Sequence, residues 1–93
     1  MPAMTYHLRW PDQTVMACYS PSLIVRERLR PGPMRLDAFL VEIRDCMQIA
    51  SERVRAKYGF ACSAAADQLA QIEATATRFG LEARIELLPF DPA

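Results

Sequence analysis

Cys62 is the residue of this chain best placed to do chemistry: it precedes Ser63-Ala64-Ala65-Ala66, a helix start, and follows Arg55 and Lys57 within a few residues. Unpaired backbone N–H groups and the dipole at a helix start favour a thiolate over a thiol, and nearby cations add to that effect. With both acting, Cys62 would be a reactive nucleophile, a redox switch or a ligand for a small anion. The ordinary alternative is a small buried side chain at a helix joint, because free cysteine is among the most buried residue types. Cys18 would join Cys62 in a two-thiol site only where the fold brings them together. A metal would want more ligands than two thiols and one distant histidine supply, so neither a metal nor another cofactor is expected.

His7 is the only histidine, and the residues around it offer no nucleophile or carboxylate to complete a catalytic set, so a half-exposed strand histidine is expected. No phosphate loop, paired-histidine motif, nucleophile elbow or dinucleotide fingerprint is present. Arg26, Arg28, Arg30 and Arg35 cluster around Pro31-Gly32-Pro33, and Arg26 and Arg30 share one helix face by their spacing of four. That face suits a phosphate, a carboxylate or an acidic patch; the plainer reading is a solvated basic face paired with Glu27 or with the acidic last third. The candidate binding residues are therefore Arg26, Arg30, Arg55, Lys57, Tyr58 and Cys18. Tyr58, Phe60, Trp10 and Tyr19 are the aromatics available to a pocket or an interface, with core packing as their default and Trp10, ahead of a turn, expected to be partly exposed.

Elements that position these residues must fit in 93 residues, one domain over 1–93 that buries roughly three fifths to two thirds of its unfolded surface. At 52% hydrophobic and 24% charged residues the composition is globular and slightly rich in apolar side chains, which points to a subunit contact. Net charge is zero but uneven: residues 1–35 hold five arginines against Asp12 and Glu27, while residues 61–93 hold Arg78 and Arg84 against five acids. Opposite ends favour attraction within the fold or between copies over binding of a polyanion, so no nucleic-acid role is expected. No apolar run approaches the ~20 residues of a membrane span, and Met1-Pro2-Ala3-Met4 lacks a basic region followed by an apolar stretch, so a cytoplasmic protein without a membrane role is expected. Three cysteines spaced 28 and 16 apart match neither a secreted disulfide framework nor a zinc pair and read as reduced thiols.

Met4, Tyr6, Leu8 and Trp10 alternate with Thr5, His7 and Arg9, and Val15, Ala17 and Tyr19 alternate with Met16 and Cys18; Pro11-Asp12-Gln13 between them makes a hairpin. Taking Val15, Ala17 and Tyr19 as the second strand's buried set puts Cys18 on the opposite face, where it either points away from the helices or faces a partner. Ser20-Pro21 starts a short helix over 21–29 with Leu23, Ile24 and Leu29 buried, and Pro31-Gly32-Pro33 ends it and offers a hinge. Leu36, Phe39, Leu40, Ile43, Met47, Ala50 and Val54 form one stripe of a long helix closed by Gly59. A third helix runs over 63–79 with Ala65, Leu69, Ile72, Ala76 and Phe79 on its stripe and Gly80 as its stop. Ala83, Ile85 and Leu87 make a last strand. The expected fold is α+β, in the order β-β-α-α-α-β, with a three-stranded, mostly antiparallel sheet covered on one face by helices. Its open edges and bare face suit pairing between copies, and a homo-oligomer is expected.

Four stretches carry a family resemblance: Arg9-Trp10-Pro11-Asp12, the run from Cys18 to Glu27, the 51–69 segment, and Phe90-Asp91-Pro92-Ala93. Through them nearly the whole chain resembles a family of small bacterial nitrogen-starvation response proteins. One departure is Gln13, where the family pattern has glycine after the aspartate, which leaves the turn type open. Members are encoded beside metabolic genes that include a nitrilase-like enzyme, so the resemblance implies a role in nitrogen metabolism under limitation and an enzyme partner from the same pathway; it carries over no catalytic residue. Three readings stand: a non-enzymatic accessory or regulatory protein acting through homo-oligomer or protein contacts, which is preferred; a small enzyme or carrier using Cys62; and a sensor binding an anionic metabolite through the arginine cluster.

Overall fold

The computed structural model describes residues 2–60 and 63–90. Its elements are β1 (Met4–Arg9), β2 (Val15–Ser20), α1 (Ile24–Arg28), β3 (Gly32–Arg35), α2 (Leu36–Tyr58), α3 (Ser63–Ala76) and β4 (Arg84–Leu87). The class is α+β as expected, but the order is β-β-α-β-α-α-β. The sheet has four strands, arranged β2-β1-β4-β3, and every pairing is antiparallel. The added strand is Gly32–Arg35, where the two prolines pointed to a break and a hinge. Gly32, at φ +137°, adopts a conformation that side chains rarely allow and turns the chain out of α1. Pro33 is tolerated because β3 is an edge strand with only β4 beside it, so no ladder bond is needed on its open side.

The β1–β2 hairpin forms as expected, closed by Trp10 N–H to Thr14 O at 2.9 Å and Gln13 N–H to Trp10 O at 2.8 Å. Asp12 holds the loop by accepting from the Thr14 N–H at 3.1 Å and the Thr14 hydroxyl at 2.6 Å. Gln13 sits at φ +75°, the left-handed last position of a three-residue hairpin loop, which glycine fills most easily. This resolves the turn type: glutamine is strained into a left-handed position.

The second strand runs in the opposite phase to the one expected. Tyr6 stands opposite Cys18 and Leu8 opposite Met16, and paired residues share a face. Cys18 therefore points into the core at 2% exposure, while Val15, Ala17 and Tyr19 look outward. Trp10 is likewise buried, not partly exposed, stacked on Phe79 with ring centroids 5.7 Å apart; its indole N–H has no partner among the described residues.

Along α2 the expected stripe is buried in full, joined by Cys46. Each such aliphatic side chain contributes about 1.5–3 kcal/mol when fully removed from water. The helix begins directly after β3, and the N–H groups of Leu36 and Asp37 donate to Ala83 O at 2.8 Å and Leu81 O at 3.0 Å. The turn before β4 thus satisfies two of the orphan donors at its start. Gly59 closes it in the left-handed conformation, φ +79°, with its N–H on Arg55 O at 2.8 Å.

The two flanking helices are shorter than expected. α1 starts only at Ile24, because the Ser20 and Ser22 hydroxyls close local turns first: Ser22 N–H meets Ser20 Oγ and Ile24 N–H meets Ser22 Oγ, each at 3.3 Å. α3 ends at Ala76, three residues before Phe79, which leaves the helix to reach Trp10. Its alanines let it lie close against α2. Gln68 points at the sheet instead: its Oε1 accepts the Tyr19 N–H at 2.9 Å, occupying part of the β2 edge. Among the described residues no helix is long and apolar enough to cross a membrane.

Candidate functional site

The structure scatters the residues that the sequence singled out. Arg26 lies on α1 with its guanidinium 5.7 Å from the centre of the Phe90 ring. Arg30 falls outside the helix, because Leu29 is extended (φ −115°, ψ 152°), so the shared Arg26/Arg30 face does not exist. Arg55, Lys57 and Tyr58 occupy the exposed last turn of α2, where Tyr58 and Phe60 stand 6.3 Å apart and are not core residues as their type suggests. Cys62, the candidate nucleophile, lies outside the described residues.

The described thiols are unsuited to nucleophilic work. Burial pushes the Cys18 thiol up to about 12 and the Cys46 thiol up to about 11, so both stay protonated near neutrality. Tyr6, across the sheet from Cys18, is raised for the same reason. His7 is half-buried on the outer sheet face opposite Ala17, as expected of a strand histidine. Among the described residues no group of three potential metal ligands comes together.

Several arginines act as staples. Arg53 on α2 clasps Glu27 of α1 at 2.9 and 3.1 Å and also donates to Ser22 Oγ at 2.8 Å; its hydrogen bonds hold the Glu27 carboxyl below the usual range. Arg28 reaches Asp45 at 2.8 Å and Glu42 at 3.3 Å. Arg44 ties α2 to Glu73 of α3 at 2.8 Å, and Arg35 bonds Asp37, lowering that carboxyl. Exposed pairs add little to stability singly; those of Arg53 and Arg28 link α1 to α2, and that of Arg44 links α2 to α3. Glu27 thus serves Arg53, not the basic cluster of its own helix. The attraction expected between the oppositely charged ends appears as Arg9 to Glu86 at 3.2 Å.

What the fold does assemble is the sheet face turned away from the helices. β1 presents Thr5, His7 and Arg9 there, and β2 presents Val15, Ala17 and Tyr19 beside them. Val15 is 53% exposed and Tyr19 40%, in a strand whose inner neighbours are in the core. Beyond β1 the face turns polar, with Glu86 and Arg84 on β4 and Arg35 on β3. This apolar column was missed because the phase of β2 was read from hydrophobicity; the register set by the hairpin loop is the signal that places it. Such a face can pack on another protein surface.

No curated protein matches the chain, and neither does any solved structure. The family model described as nitrogen starvation-induced protein NitG matches residues 5–90, nearly the whole length, and the chain belongs to that family.

Proposed function

We propose that this is a small non-enzymatic accessory or regulatory protein of nitrogen-limited metabolism that works through protein contacts, first with a second copy of itself. The observation that carries the reading is the outward column of Val15, Ala17 and Tyr19 on a sheet whose described helices cover its other face. The chain measures 39 × 27 × 18 Å, and its thin axis is that of one sheet and one helix layer. Gln68 on the Tyr19 N–H favours packing by face over pairing by edge. A nitrilase-like enzyme encoded beside such proteins is the partner the family resemblance suggests next.

Light scattering at micromolar concentration tests the contact. The expected mass is twice the 10.5 kDa of one chain, and Val15→Glu with Tyr19→Lys should return it to one chain while circular dichroism stays unchanged. A strictly monomeric wild-type mass would sink the proposal. Exchange of Cys62 for serine separates it from a thiol mechanism: the contact reading expects unchanged pathway function.

A further inference from the structure

We infer that the split end of the sheet is a binding site for a small free carboxylate. The β1–β4 ladder stops at Arg9–Glu86, whereas β4 goes on pairing with β3 through Ile85–Met34 to Arg84–Arg35. β1 instead leaves the sheet at Trp10 and turns back through Gln13. The strands part, and a hollow of about 320 Å³ fills the gap, within the size range of small-ligand sites.

Charge selects the ligand. Of the cations lining the hollow, Arg9 is engaged by Glu86 at 3.2 Å. Arg84 has no ion-pair partner among the described residues and stands directly across from Arg35, which Asp37 already holds. An anion on Arg84 supplies the countercharge that Asp37 already gives Arg35. A guanidinium fork matches the two oxygens of a carboxylate, and with Arg9 neutralised a single cation remains, which favours a monocarboxylate. Pro11 and Pro33 supply rigid apolar walls for a flat or apolar remainder. Gln13, the one described non-glycine residue at positive φ, also lines this hollow, and its amide offers a donor and an acceptor where glycine offers neither.

The test is titration with sodium benzoate at constant ionic strength. It is read by the emission of Trp10, the only tryptophan and itself a lining residue, and by the NMR resonance of its indole N–H. A saturable shift is expected, weakened at least ~10-fold in Arg84→Ala and less in Arg84→Lys, which keeps the charge but loses the fork. Arg44→Ala, on α2 and outside the hollow, should bind like wild type. Arg84 is exposed, so both variants should melt like wild type. A response that never saturates, one reproduced by sodium chloride, or equal affinity in Arg84→Ala overturns the inference. A monomer that binds benzoate keeps this site and ends the contact-based reading above, so the two fail separately.

Discussion

Cys18 and Tyr19 are neighbours in sequence and opposites in circumstance. One is packed beneath the helices with a thiol that cannot ionise near neutrality; the other stands on the bare side of the same strand at 40% exposure. The strand is a partition. Everything on its inner side answers to packing, and only the outer side is free to serve something outside the chain. The difference teaches where to look for function here: among the residues that the core did not claim.

The sharpest way to break this comparison is to place the same charge on each side. Cys18→Asp buries a carboxylate without a partner and should cost several kcal/mol, enough to unfold most of a domain of this size, as urea titration would show. Tyr19→Asp should change stability by less than ~1 kcal/mol yet weaken self-association. A purely steric version is Leu8→Ala, on the inner face of β1 at 0% exposure, with an expected loss of about 2–5 kcal/mol.

Alkali offers a second test of the buried side. In the unfolded chain the thiols lose their protons near the ordinary value of 9.0; in the folded protein Cys18 and Cys46 hold theirs up to about 12 and about 11. Folded values that are raised give stability that is complete below the unfolded value and lost as pH rises toward the folded one. Unfolding free energy should therefore fall above pH 9 by roughly 1.4 kcal/mol per pH unit and thiol. The double variant Cys18→Ala, Cys46→Ala should flatten that slope from pH 9 up to the ordinary tyrosine value of 10.0, above which buried Tyr6 adds its own, in denaturant melts at stepped pH.

Gln13→Gly sharpens the picture of the outer rim. It relieves a left-handed strain of about 1–2 kcal/mol and restores some chain entropy to the unfolded state, so a net gain up to about 1 kcal/mol is expected, seen as a Tm higher by a few degrees. Acid should produce the slightest effect. Glu27, Asp37 and Asp12 have lowered folded values, chiefly through hydrogen bonds from Arg53, Arg35 and Thr14, so their contribution is present at neutrality and fades as pH drops below about 4. Glu27→Gln should blunt the fall in Tm between pH 5 and pH 3.

Long-period signals were the legible ones. The α2 stripe needs no tertiary partner to be read, and Gly59 and the first hairpin follow from local chemistry. β3 was hidden because four residues that include a glycine and a proline carry no strand pattern; only the presence of β4 alongside makes them one. The β2 phase was legible in principle, since a three-residue loop after Trp10 fixes Cys18 against Tyr6, but apolar Val15 and Tyr19 argued the other way. Among site candidates, the Arg26/Arg30 pair failed because helix spacing was applied past the end of the helix. The Arg9–Arg84 hollow joins residues 75 positions apart, a juxtaposition created by strand order alone.

Gln68 has a consequence for how this molecule fails. The outward amides of β2 are a template on which a foreign strand can grow, and the side chain of one glutamine stops part of it. Its helix grips the rest through alanines and a few larger residues, so it should be the first element to lift on heating. Once it lifts, the template is bare, and damage to the third helix should show itself as fibrous precipitate before it shows as loss of the sheet.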